Sequence, residues 1–174
     1  MKNSFLISIC FALGSCANLV PLTSQMIEKN KWSTEDLKKI QYYNSSAITL
    51  QKVSSQSGSN IQGGVIKEES NKAVSEVFIK ENTKGVAVNT SDNKLSLSFE
   101  KDDAHYLTFG ANPDRNGYFV LLASDWKDRI GKVTYDNEKY FTSPESRDVI
   151  ILVNMQKIKK LIVQQRTAGG REVH

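Results

Sequence analysis

The sequence predicts a mainly β fold, a small barrel or sandwich preceded by one or two short α-helices. Short runs in which apolar and polar residues alternate recur at close spacing, with turn formers between them. A two-sided apolar run, "VIILV" (149–153), marks a central strand late in the chain. Ahead of the strands, "KWSTEDLKKIQYY" carries the start signals of a short helix.

The chain begins with one positive charge, Lys2, followed by the apolar stretch from Phe5 to Leu13, too short for a membrane-spanning helix. A charged start, a short apolar stretch and small residues at its end predict a signal peptide over 1–15, removed on export. Leu13-Gly14-Ser15-Cys16 resembles the bacterial lipobox: an aliphatic residue, two small residues, then the cysteine that receives the lipid. Cys10 does not fit, because bulky Ile9 stands where a small residue is needed. Cutting before Cys16 leaves one of the two cysteines, and lipid consumes it. No disulfide partner and no CxxC site then remain. Each buried CH₂ of an acyl chain contributes about 0.8 kcal/mol, so two or more chains hold a protein on a membrane it does not span. The covalent lipid on Cys16 is the only cofactor expected. By resemblance to bacterial sorting rules, Ala17 in place of an acid implies the outer membrane, facing the periplasm.

Residues 16–22 are expected as the lipidated cysteine and its tether, and 23–43 as a helical preface. Thr23 or Ser24 can cap a brief helix through Lys29. Ser33 with Asp36 forms a capping box, flanked by Trp32 and Leu37 as a hydrophobic staple. The β domain is expected over 44–165. "AITLQKV" and "IQGGVIKEE" flank a Ser-rich loop at 54–59, and Gly63-Gly64 reads as a bulge or bend. Asn82 to Gly85 reads as a turn between two strands. Leu95, Leu97 and Phe99 alternate with polar residues after the turn Asp92-Asn93. "HYLTFG" and "GYFVLLA" pair across "ANPDRN", and "GKVTY" and "KYF" pair across 136–138. Residues 160–163 extend or follow the last strand, and 166–174 form a loose tail.

The segment "VFIKENTKGVAVNTSDNKLSLSFE" resembles SH3-like barrels of bacterial envelope proteins, in which a strand, a turn ending in Gly and two short strands follow in this order. The whole mature chain resembles small Bacteroidota lipoproteins with a "TEDLKKIQYY"-like helical start and a β-rich remainder. That resemblance implies no catalytic residues.

The formal net charge is +4. The segment from Asn154 onward, with Lys157, Lys159, Lys160, Arg166 and Arg171 against Glu172, accounts for the basic balance. The body is nearly neutral, so no nucleic-acid partner is expected.

"NPDRNG" places Asn112, Asp114 and Asn116 at alternate positions before Gly117, like half of a calcium loop. Ala123 stands where such a loop needs a bidentate acid, and the same residues make good β-turns, so a hairpin is expected and metal is not. "FEKDDAHY" gathers Glu100, Asp102, Asp103 and His105, a set able to bind metal or exchange protons. Its acids fall where the chain must turn, and no catalytic residue is assigned. Tyr118, Trp126, Lys157, Lys159 and Lys160 are the expected partner or ligand contacts. The expected role is a non-enzymatic binding or scaffolding lipoprotein with a protein partner in the cell envelope, such as a secretion-system accessory. Alternatives are a glycan- or ligand-binding lipoprotein and a small metal-dependent hydrolase around His105.

Overall fold

The computed structural model describes residues 18–52, 60–62, 65–67 and 75–159. The expected signal peptide with Cys16, the Ser-rich loop, Gly63-Gly64, Lys160 and the expected tail lie outside the described residues.

Helix α1 (Ser24–Asn30) starts because Thr23 stays extended and its hydroxyl accepts the Met26 N–H at 3.0 Å. It stops at Lys31, which turns left-handed at φ 52°. Helix α2 (Thr34–Lys39) carries the full capping box. Asp36 N–H donates to the Ser33 hydroxyl at 3.2 Å, and Ser33 N–H donates to the Asp36 carboxylate at 3.0 Å. Trp32 and Leu37 are both buried and fix the helix to the body. The Tyr42 hydroxyl donates to the Leu37 carbonyl at 2.7 Å, so this fully buried phenol is satisfied; burial holds its pKa above the ordinary value.

The strands form two antiparallel sheets. The larger runs, in spatial order, β1 (Leu19–Pro21), β14 (Ile151–Asn154), β2 (Tyr42–Asn44), β7 (Lys84–Ser91), β8 (Lys94–Ser98), β9 (Tyr106–Asn112) and β10 (Tyr118–Leu121). The smaller runs β11 (Asp125–Lys127), β12 (Ile130–Tyr135), β13 (Glu138–Thr142), β3 (Ile48–Lys52) and β6 (Glu76–Ile79). A separate hairpin joins β4 (Asn60–Gln62) to β5 (Val65–Lys67). The whole is mainly β and sandwich-like, as the alternation predicts.

The large sheet also closes on itself. Beyond β10, Tyr118 bridges Thr23, Phe119 N–H donates to the Leu22 carbonyl at 3.3 Å, and Val120 bridges Ile150. The first edge of the sheet thereby covers the last. Leu95 opposite Phe109 and Leu97 opposite Leu107 fill the core, as the period of two requires. Gly85 sits in β7 under the Phe99 ring, where a Cβ would lie 2.8 Å from a ring carbon.

Two elements differ from expectation. Leu19–Pro21 is a strand and Leu22 is fully buried, where a tether is expected. A three-residue strand has no alternation to reveal it; its partners, β14 and Phe119, lie far along the chain. The turn after β6 does not make a hairpin, because β6 and β7 belong to different sheets. Asn44 pins that crossing, its amide donating to the carbonyls of Lys80 and Ser46 at 2.7 and 2.9 Å. Residues 155–159 are helical, started by the Asn154 side chain, which accepts from the N–H groups of Gln156 and Lys157 at 3.1 Å each.

Candidate functional site

Between β10 and the β11–β12 hairpin opens a cleft of about 650 Å³, lined in part by Arg115, Leu122, Trp126, Arg129, Arg147 and Asp148. Trp126 stands on the edge strand β11, half-buried. Its ring lies flat enough against Gly131 that a Cβ there would come within 2.8 Å of two ring carbons. Glycine at 131 therefore seats the indole. The Arg147 guanidinium lies over the same ring, 5.6 Å from its centroid, a cation–π distance.

The hairpin that carries this edge turns at Asp128 and Arg129, both left-handed at φ 48° and 67°. A two-residue turn with both central φ positive matches strand twist, and normally uses Asn or Gly. A bulky Arg there costs about 1–3 kcal/mol and is kept only where surroundings hold it. What holds it is Asp148, whose carboxylate takes a hydrogen bond from Arg129 and lies 3.5 Å from Arg115. The hydrogen bond from Arg129, and the fields of all three arginines, keep the Asp148 carboxyl below its ordinary pKa against the opposing effect of desolvation. Two guanidiniums pair with one carboxylate and a third, that of Arg147, lies over the indole, so the residues lining the cleft carry more positive than negative charge beside an aromatic face. That suits an acidic group presented with a flat or apolar one.

The acidic cluster closes instead on itself. The Asp102 carboxylate accepts from the N–H groups of Ala104 and His105 at 3.0 and 3.1 Å, and lies 2.6 Å from the His105 ring Nδ1. His105 Nε2 lies 3.5 Å from Asp136, and the ring stacks obliquely on Tyr135 at 5.4 Å. Tyr135 in turn donates to Glu100. The hydrogen bond to Asp102 raises the His105 pKa, desolvation opposes it, and the charges of Asp102, Glu100 and Asp136 add to the rise. Glu100, Asp102 and His105 offer donor atoms within 4.8 Å of one another. These same donor atoms are engaged with one another and with the loop backbone. The arrangement is that of a loop latch: an Asx turn and an ion pair tie residues 100–105 to β12. His105 precedes β9 rather than starting it.

The 112–117 loop is a hairpin connection. The Asn112 side-chain oxygen accepts the Asp114 N–H at 2.9 Å and caps the 3-10 turn Pro113–Arg115, while Asn116 and Gly117 take positive φ. That commits one of the oxygens a calcium site would use. Tyr118 serves the sheet closure through its bridge to Thr23.

The expected contact residues do not converge. Trp126 lies in the cleft, whereas Lys157 and Lys159 are exposed on the helical segment 155–159, beyond the opposite end of β14. Arg115, Arg129, Arg147 and Asp148 have no local sequence signal. The two ion pairs to Asp148 span 33 and 19 residues.

No family model matches the chain, and no curated protein and no solved structure matches it.

Proposed function

We propose that this chain is a lipoprotein, cut before Cys16 and held by lipid on the periplasmic face of the outer membrane. Its β domain acts as a non-enzymatic binding or scaffolding subunit of an envelope assembly. The observation that carries the binding role is the Trp126 cleft, an aromatic face braced by Gly131 and Arg147 where three guanidiniums meet one lining carboxylate. An acidic segment of a partner protein, carrying an apolar or aromatic side chain beside its carboxylate, fits that chemistry. The resemblance of 77–100 to SH3-like envelope domains belongs to the same reading. Among the described residues no helix is long and apolar enough to cross a membrane. The lipid is what holds the chain there.

A second reading, an acidic-glycan binder, is favoured by the same pairing of an indole face with guanidiniums. The two separate in one experiment. Protein extracted in mild detergent should bring down a partner protein, and Trp126→Ala should release it while Lys52→Ala does not. Capture of nothing by the wild type, together with quenching of Trp126 emission by uronic-acid oligosaccharides, sinks the scaffold reading. The anchor is tested directly: labelled palmitate should enter the wild type and not Cys16→Ala, and equal labelling of both refutes the lipobox.

A further inference from the structure

Strand β14 runs from the cleft to the other end of the body. Ile150, just ahead of it, bridges Val120 in the cleft wall, and Asn154 at its end pairs with Leu19. Four residues of strand at about 3.3 Å each separate the two ends by roughly 13 Å. Beside Asn154 lies a second pocket, of about 280 Å³, lined by Lys39, Lys84, Lys157, Ile40 and Ile158. The end of α2 supplies Lys39, the first residue of β7 supplies Lys84, and the helical segment 155–159 supplies Lys157. All three lysines are exposed, on a floor made by the buried Ile40 and Ile158.

Among the described residues none of these lysines has a carboxylate within salt-bridge distance. The nearby acids of α2 are already engaged: Glu35 with Lys38 at 3.2 Å, and Asp36 in the capping box with Ser33. Lys39 does act on Asp36, though only as the smallest of the influences on that carboxyl. The patch is therefore positive without internal neutralisation.

Leu19, the partner of Asn154, stands three residues after Cys16. Three extended residues reach at most about 10 Å. That is close to the screening length at physiological salt, roughly 8 Å. We propose that Lys39, Lys84 and Lys157 form a docking surface for anionic phospholipid headgroups, which sets the domain upright with the Trp126 cleft facing away from the membrane. The inference rests on the Cys16 anchor of the preceding section. A lipid anchor alone fixes position but leaves the body free to tumble; a basic patch is the second signal that fixes orientation. Each lysine near an anionic surface favours contact about fivefold.

The test uses the full chain, purified in detergent from expressing cells and reconstituted into vesicles. On the anchor reading the mature protein has no reactive thiol, so a single introduced cysteine takes an environment-sensitive dye. Gln156→Cys reports the lysine patch, and Asp114→Cys reports the cleft end. With phosphatidylglycerol present, lipids bearing a nitroxide on the headgroup should quench the dye at 156 several-fold more than at 114. The difference should collapse in phosphatidylcholine vesicles and in the triple variant Lys39→Gln, Lys84→Gln, Lys157→Gln, and persist in the matching Lys→Arg triple. Equal quenching at the two positions, or quenching at 156 that ignores the lysines, overturns the docking surface. Dye uptake by the chain with no introduced cysteine overturns the anchor, and the orientation with it.

Discussion

Leu22→Ala separates a tether from a structural strand. Leu22 is fully buried, its N–H donates to the Ile151 carbonyl at 2.8 Å, and its carbonyl accepts from Phe119. Those two bonds join β14 to β10, so the side chain sits where the large sheet closes. Truncating a fully buried leucine costs about 2–5 kcal/mol, the spread reflecting how far the site collapses. The backbone bonds here hold the cavity open, which places this site near the upper half, about 3–5 kcal/mol. Val20, half-buried two residues earlier, loses less apolar surface. Its truncation to Ala should cost about 1 kcal/mol, from two methyl groups partly exposed already.

Were 16–22 only a leash, both substitutions would fall within about 0.5 kcal/mol of wild type. Urea unfolding of the detergent-extracted protein, followed by far-UV circular dichroism, measures the difference. The expected result is a lower midpoint for Leu22→Ala with an unchanged slope, since the surface exposed on unfolding is nearly the same. A shift below about 1 kcal/mol for Leu22→Ala would refute the closure of the sheet through Leu22.

Gly131→Ala should cost about 1–3 kcal/mol by overpacking against the Trp126 ring and the Ala123 methyl, 2.9 Å from the added carbon. The emission of Trp126 should shift with it, and in a Trp126→Ala background the cost should shrink without vanishing, because the Ala123 methyl still meets the added carbon. Arg147→Ala removes the cation over an accessible indole and should cost no more than about 1 kcal/mol while red-shifting Trp126 emission; a blue shift would contradict the stacking. The Asp102–His105 latch makes stability depend on pH in a defined sense. His105 has its pKa raised in the fold, so its contribution is complete below the ordinary value of 6.5 and is lost as pH rises through the raised one. Asp102 has its pKa lowered, so its contribution is complete above 3.8 and is lost as pH falls through the lowered value. Melting temperature should thus decline on the alkaline side of 6.5 in the wild type and decline less in His105→Ala; parallel profiles would show that the latch does not act.

Where local chemistry decides the structure, the sequence is legible. Ser33 and Asp36 cap α2 because both orphan donors find partners three residues away, a distance any reader of the chain can see. The alternation of Leu95 and Leu97, and of Leu107 and Phe109, orients β8 and β9 because one face of each strand is buried and the other is not. Asp136 and Asn137, both at positive φ, make the β12–β13 hairpin with residues that tolerate it. The edge strand β11 is different. Asp125-Trp126-Lys127 alternates, but over three residues, and the turn after it is Asp-Arg rather than Asn-Gly.

That contrast explains why only Trp126 of the candidate site could be found beforehand. An aromatic residue among charges is a local signal; a carboxylate shared by two arginines on separate segments is not. Arg115 comes from the turn between β9 and β10, Arg129 from a strained turn on the other sheet, and Asp148 from the 3-10 turn Pro144–Asp148 that leads into β14. They meet because the large sheet curls until β10 touches the start of β14, which carries the end of one sheet up to the edge of the other. The closure is itself made by Leu22 and Thr23, in a stretch that looks like a linker. So the cleft depends on the least legible element of the fold. Loosening Leu22 should disturb Trp126, although no side-chain contact between them is needed. A Leu22→Ala protein that is destabilised yet keeps wild-type Trp126 emission in native buffer would show that the cleft stands on the small sheet alone.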